Sequence, residues 1–150
     1  LQRHRATSCT DVTGFGLLGH LVEMIRPSGV DVDLHPDAVP ILDGARECIA
    51  AGIFSSLQPQ NVRLKRALRD QETAARHPLY PLLFDPQTAG GLLASVPGGV
   101  AEACVAELRR LGYDRAAIIG FVRAQSDAVE PVRLIAGPAP NVSGRSLAAE

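Results

Sequence analysis

Two short segments carry residue types that can do chemistry. The first is Cys9-Thr10-Asp11-Val12-Thr13-Gly14-Phe15-Gly16. Its glycines let the backbone approach an anion closely. The helix expected to follow offers free N–H groups to phosphate at its N-terminus. A carboxylate beside such groups repels phosphate unless a hard cation lies between them. Asp11 therefore suits Mg2+ binding better than general-base work, because Mg2+ takes one or two protein carboxylates and completes its shell with nucleotide oxygens and water. On residue types alone a second reading stays open, in which Asp11 caps a turn and the glycines only permit tight packing. The GxxxxGK[ST] pattern of P-loop nucleotide binders does not occur in the chain.

The second segment is Asp85-Pro86-Gln87-Thr88-Ala89-Gly90-Gly91. Asp-Pro and Gly-Gly are turn signals, and Asp85, preceding proline, is pushed out of the helical region. Gln87 and Thr88 can reach a ligand from such a turn; a plain connection between two buried segments is the other reading. The four histidines, His4, His20, His35 and His77, show no HExxH or HxH spacing, so no zinc site is expected. His20 lies in a largely apolar stretch and reads as a hydrogen-bonded core histidine. No GxSxG nucleophile elbow occurs. Cys9 lies two residues from Asp11, whose charge disfavours a thiolate, so it reads as structural.

The elements that must position these residues follow from periodicity. Apolar residues at 15, 18, 22 and 25, and at 17, 21 and 24, predict a largely buried helix, with Thr13 as its N-cap and Pro27 to Gly29 as its end. Val30-Asp31-Val32-Asp33-Leu34 alternates strictly and predicts a half-exposed strand with a solvated acidic face, which could also hold a cation. Residues 40–52 predict a second helix, with Cys48 as a core filler on its apolar face. Residues 62–75 suggest another helix, with Arg63, Lys65, Arg66 and Arg69 as a solvated basic stretch or a phosphate or partner contact. Strands are expected over 92–96, 116–122 and 131–135, and a helix over 98–112. Mixed helices and strands with one-sided sheet patterning predict an α+β class, a mixed sheet covered by helices. The domain reading is a lead-in over 1–8, an α+β domain over 9–136 and a flexible tail over 137–150.

Composition narrows the function classes. Of 150 residues, 46% are hydrophobic and 21% charged, which suits one globular domain rather than a disordered chain. A net charge of −1 provides no global field for nucleic acid, and 4% aromatic residues without Trp make a poor base-stacking surface. The longest apolar runs, such as residues 90–96, are far too short to span a bilayer. No signal peptide is apparent at the start, so the sequon Asn141-Val142-Ser143 reads as chance. Three well-separated cysteines without CxxC point to a reducing compartment, and a cytoplasmic location is expected. The chain opens on Leu1, which suggests a processed start or a piece of a longer protein.

CTDVTGFGLLGHLVEM (residues 9–24) resembles the signature that opens the C-terminal domain of the selenide, water dikinases, or selenophosphate synthetases. LFDPQTAGGLLASVP (residues 83–97) resembles a second signature of that family, usually DPQTSGGLL, and RAAIIGFV (residues 115–122) resembles its late strand. Order and spacing agree over roughly residues 6–136. The resemblance implies an enzyme that makes selenophosphate from selenide, ATP and water, releases AMP and phosphate, and needs Mg2+. It also implies membership of a superfamily with aminoimidazole ribonucleotide synthetase, formylglycinamide ribonucleotide amidotransferase, thiamine monophosphate kinase and a hydrogenase maturation factor. In that superfamily an N-terminal domain dimerises and binds ATP, and an α+β C-terminal domain closes over the nucleotide. This chain matches the C-terminal domain, so a homodimer is expected only for the full-length protein.

By resemblance, Asp11 is a metal ligand near the ATP phosphates, in agreement with the cation reading of the residues. Thr10, Thr13, Gly14 and Gly16 map to the surrounding nucleotide-binding loop. No catalytic residue carries over: the family's reactive Cys or selenocysteine, its nearby Lys and the other metal carboxylates belong to an N-terminal segment, so Cys9 does not inherit the role. Ala89 departs from the family's usual Ser. Two rival readings remain at this point, another ATP-dependent synthetase or kinase of the same superfamily, and a non-enzymatic partner domain that binds through Arg63 to Arg69.

Overall fold

The computed structural model describes residues 1–137. Beyond Gly137, the expected tail and the Asn141 sequon lie outside the described residues. Ten regular elements follow in chain order: β1 (Ser8–Asp11), α1 (Gly16–Ser28), β2 (Val30–Leu34), α2 (Ala45–Ala50), α3 (Gln58–Asn61), α4 (Gln71–Ala74), β3 (Leu92–Ser95), α5 (Gly98–Arg110), β4 (Gly120–Ala124) and β5 (Val132–Leu134). Short 3-10 turns at Gln2–His4, Pro36–Ala38, Val62–Ala67 and Tyr80–Phe84 connect them. The class is α+β, as the patterning predicts. β1 and β3 form an antiparallel pair. β2 is the centre of a second sheet, antiparallel to β4 and parallel to β5.

α1 joins the two sheets. Leu18, Leu21, Val22 and Ile25 recur at three and four residues, so one face of the helix is apolar, and all four are buried. They meet Val32 and Leu34 of β2, Leu93 of β3, Val132 of β5 and the connecting residues Leu68, Leu83 and Phe84 in one core. Gly29 ends the helix in a left-handed conformation at φ 59°, its amide donating to the carbonyls of Ile25 and Arg26. Pro27 lies inside the last turn rather than beyond it. Segment 1–8 is attached to the rest: Ser8 opens β1, and the His4 ring lies 2.7 Å from the Glu107 carboxylate of α5.

Several expectations are corrected. Thr13 does not cap α1: Phe15 occupies the N-cap without a side-chain hydrogen bond, and the Thr13 hydroxyl turns to His20 instead. The predicted helix over 40–52 is reduced to Ala45–Ala50, none of its residues is buried, and Cys48 is exposed rather than a core filler. The helix suggested over 62–75 is broken, because Asp70 adopts φ 46°, splitting a 3-10 segment from the single turn of α4. The strand expected over 116–122 begins only at Gly120.

The largest correction concerns β2. Its acidic face is buried rather than solvated, with Asp31 and Asp33 only 6% and 5% exposed. The reason is tertiary. β4 and β5 flank the strand, and arginines from three separate segments reach over its polar face. Arg123 donates to Asp33 at 2.8 Å, and Arg133 donates to both Asp33 oxygens at 2.8 and 3.1 Å. Arg69 donates to Asp31 at 2.6 Å, and the Ser126 amide donates to the same carboxylate at 2.9 Å. Guanidinium groups thus fill the place that sequence alone leaves open to a cation.

Burial pushes the Asp33 carboxyl up, but hydrogen bonds from Arg133 and Arg123 and their positive charges outweigh it, leaving the group below the usual carboxylate range. Asp31 is also held low, first by the Ser126 hydroxyl against the opposing effect of burial, then by the Ser126 amide and Arg69. A carboxyl lowered in the folded state adds stability above its unfolded value, about pH 3.9, and loses it as pH falls through the folded value. The expected outcome is that Asp33→Asn destabilises the chain by about 2 kcal/mol near neutrality, between the worth of exposed and of buried pairs. The gap to the unsubstituted chain should narrow as the medium is brought below about pH 4. Urea unfolding curves at the two acidities measure both effects.

Candidate functional site

The two chemistry-bearing segments lie 75 or so residues apart in sequence and side by side in space. Pairing of β1 with β3 sets Asp11 opposite Leu92, at the point where the second segment enters its strand. The ladder continues past the strand ends, with the Val12 amide donating to the Gly91 carbonyl at 2.9 Å. The Thr13 carbonyl then accepts two amides, Gly16 of its own turn and Gln87 of the second segment, each at 3.0 Å. One backbone oxygen therefore ties both loops.

Close backbone packing explains two of the glycines. Gly16 has φ 69°, and a Cβ there would lie 2.8 Å from the Phe84 carbonyl carbon and 2.9 Å from the Leu83 oxygen. A Cβ on Gly90 would collide with the Val12 carbonyl oxygen. Asn61 completes the clamp. Its buried side-chain amide donates to the Gly14 carbonyl at 2.9 Å and to the Phe84 carbonyl at 3.0 Å, bridging the two loops from α3. Nothing in the local sequence singles out Asn61, which ends the polar run Gln58-Pro59-Gln60-Asn61. Its partners are 47 and 23 residues distant.

Of the residues expected at the site, Asp11, Thr10, Thr13, Gly14 and Gly16 all lie in this clamped loop. Asp11 is exposed at the end of β1, and its carboxylate accepts no hydrogen bond and forms no ion pair among the described residues. The Thr10 hydroxyl donates to the Asp11 main-chain oxygen at 3.2 Å, so it shapes backbone. Gly14 is exposed, with open space where a Cβ would be, and a ligand can approach its backbone. Gly16 is buried and acts through packing. Gln87 turns back to Asp85, donating to its carboxylate at 3.3 Å, and Thr88 and Ala89 are exposed on the same turn. Cys9 is exposed on β1.

His20 stands directly behind the loop. The residue is 6% exposed, its Nε2 lies 3.2 Å from the Thr13 hydroxyl, and the Phe15 ring sits at a centroid distance of 5.6 Å. On the other side of the ring, Nδ1 is 3.1 Å from a Glu23 carboxylate oxygen. That contact is short but off-axis, so Nδ1 has no aligned hydrogen-bond partner.

The arrangement presents one unengaged carboxylate on a rigid strand end beside accessible backbone. That donor set fits a contribution to a Mg2+ site, because a hard cation accepts a single protein carboxylate with phosphate oxygens and water. It does not make a complete protein cage: no group of three or more His, Cys, Asp or Glu able to hold a metal occurs among the described residues. The basic stretch is also divided, since Arg69 is engaged by Asp31, Ser126 and the Glu130 carbonyl, leaving Arg63, Lys65 and Arg66 on the surface. No helix among the described residues is long and apolar enough to cross a membrane.

Clamped signature loops on an α+β scaffold define a class. The family model for the C-terminal domain of AIR synthase related proteins matches residues 1–131, and the chain belongs to that family. Among curated proteins it is similar to the selenide, water dikinase of Geobacter metallireducens, 38% identical over 124 residues, covering 83% of this chain and 36% of that protein. The corresponding protein of Clostridioides difficile is 37% identical over 123 residues, 81% of this chain and 35% of its own length. That of Pelobacter propionicus is 40% identical over 115 residues, 77% and 33% respectively. The chain thus spans about a third of the length of the curated relatives it matches.

Substitutions at the clamp should separate packing from exposure. Gly16→Ala combines a left-handed φ with a backbone collision and is expected to destabilise by more than about 2 kcal/mol. Gly14→Ala, next to open space, should stay within about 1 kcal/mol. Asn61→Ala strands two carbonyls and should lose about 2 kcal/mol. Chemical denaturation midpoints compared at constant slope give all three values.

Proposed function

We propose that this chain is the C-terminal domain of an ATP-dependent selenophosphate synthetase, the enzyme that converts selenide, ATP and water to selenophosphate, AMP and phosphate. The observation that carries the reading is the juxtaposition of the TDVTGFG and DPQTAGG loops, with Asp11 left exposed and unengaged at their junction. Similarity to selenide, water dikinases over most of the chain supports the choice of reaction within the superfamily.

In this reading Asp11 provides one carboxylate to a Mg2+ site, and the metal, when bound, neutralises phosphate charge during phosphoryl transfer. Thr10, Thr13, Gly14 and Gly16 shape the loop against the nucleotide phosphates. Gly14 offers accessible backbone, and Gly16 and Asn61 hold that backbone still, so little ordering remains for substrate binding to supply. The chain closes over ATP held by an N-terminal domain, which also provides the remaining metal carboxylates and dimerises, in the cytoplasm. Exposed apolar side chains support a covering partner: Leu42, Leu92, Leu111, Tyr113 and Val122 rim a broad groove, and Ile53, Phe54 and Leu57 are exposed as well. A single carboxylate cannot assemble the site, so the isolated chain is inactive.

Selenide-dependent AMP formation by the full-length gene product, with this chain as control, tests the reading. Activity is expected in the whole protein and none in the isolated chain. ATP turnover without selenide dependence would move the function to another synthetase or kinase of the superfamily, and absence of ATP turnover would leave a partner domain. Asp11→Asn in the active full-length protein should lower turnover about a hundredfold or more while leaving the unfolding midpoint unchanged. Normal turnover in that variant removes Asp11 from the metal site.

A further inference from the structure

His20 has one ring nitrogen on the site loop and the other on Glu23, and the fold gives neither nitrogen an alternative. The ring is buried between α1 and the loop, under Phe15. Nε2 touches the Thr13 hydroxyl at 3.2 Å, the only side-chain group given to that hydroxyl among the described residues. Nδ1 is itself buried and has the Glu23 carboxylate at 3.1 Å without an aligned hydrogen bond. His20 and Glu23 are three residues apart on α1, so helix geometry keeps them together.

A neutral imidazole carries its proton on one nitrogen, and the group facing the other nitrogen decides which. A bare Nδ1 lone pair 3.1 Å from a carboxylate oxygen is repelled by that charge even off-axis, and the Nδ1 side of the contact is buried although the Glu23 side chain reaches solvent. A proton on Nδ1 turns the same contact into attraction. Nε2 is then the acceptor, and the Thr13 hydroxyl must donate to it. The opposite tautomer would have Nε2–H donate to the Thr13 oxygen and would leave that hydroxyl proton pointing into the site.

We propose that His20 is a positioning residue whose tautomer is set by Glu23, and that it orients the Thr13 hydroxyl inward so that only oxygen lone pairs face the ligand side of the loop. The hydroxyl oxygen then accepts hydrogen bonds, as from a water, and it offers no proton to a phosphate oxygen. The same ring braces the residue whose carbonyl joins the two loops through Gly16 and Gln87. The consequence for ligands rests on the proposed Mg2+–nucleotide reading of this loop, whereas the tautomer does not.

The test uses this chain alone, with uniform 15N labelling and long-range proton–nitrogen correlation of the imidazole rings. It is run about two units above the ordinary imidazole value, so that the rings are neutral. His20→Gln assigns the resonances. The expected result is a protonated Nδ1 and a bare Nε2 at His20, shifting to a protonated Nε2 in Glu23→Ala. A ring protonated on Nε2 in the unsubstituted chain overturns the proposal. So does a Glu23→Ala ring that keeps its proton on Nδ1, because Glu23 would then not set the tautomer. Neither readout depends on ATP turnover, so failure of the enzyme assignment and failure of the His20 role are distinguishable.

Discussion

The site rests on one carbonyl oxygen and the space around it. The Thr13 carbonyl accepts the Gly16 amide of its own turn and the Gln87 amide of the opposite loop. That double acceptance is possible only because the two backbones come close, and they come close only because glycine occupies positions 16 and 90. A side chain at either place would push the loops apart by the width of a methyl group. The polar consequences are met locally, since Asn61 donates to two further carbonyls, the buried one of Phe84 and the partly buried one of Gly14. The exposed Asp11 owes its fixed place to this arrangement, and α1 begins in the same turn, so the core and the site share an anchor.

The other demanding feature is the pair of buried carboxylates on β2. Two aspartates on a central strand would oppose folding if left alone, because removing a charge from water is expensive. Three arginines answer them, from residues 69, 123 and 133, and each brings a different segment onto the sheet. The guanidinium groups keep part of their surface in water, which lowers the desolvation each must bear. The network ties β4, β5 and the connection after the Val62–Ala67 turn to one strand. Arg69 adds a backbone link, its amide donating to Val132 at 2.8 Å. Charge thus acts as a registration device on the face of the sheet that the apolar core does not reach.

These two features divide the work between rigidity and incompleteness. The loops are held by backbone contacts that leave little freedom, yet the ligands they present are too few to enclose a metal or a nucleotide. Apolar side chains around the broad groove and along residues 42–57 remain uncovered. A piece that is well ordered at its site and unfinished at its surface suits a family whose curated relatives are about three times as long. Preorganisation in one part then spares the assembled site the entropy of ordering that part on binding.

Much of this was written locally. The buried face of α1, the stop at Gly29, the α+β class and both signature loops follow from spacing and turn chemistry within a few residues, and those signals survive without knowledge of the rest of the chain. The turn that carries Asp11 and its glycines into α1 was legible for the same reason. What the tertiary structure decided is what depends on distant partners. The VDVDL alternation predicted a wet face because the three arginines that cover it are 38 to 100 residues away. Residues 40–52 carried a helical period, but no residue of the helix they form is buried and the segment is held mainly through Arg115 at Ile41 and Asp43, so only Ala45–Ala50 is helical. Thr13 had the chemistry of an N-cap, and the turn at Gly16 with His20 behind it gave its hydroxyl another partner. Asn61 offered no signal, since a bridging amide is defined only by the two loops it joins. Periodicity and turn residues act over one or two turns of chain, whereas burial of charge and close backbone approach are properties of pairs that only folding brings together.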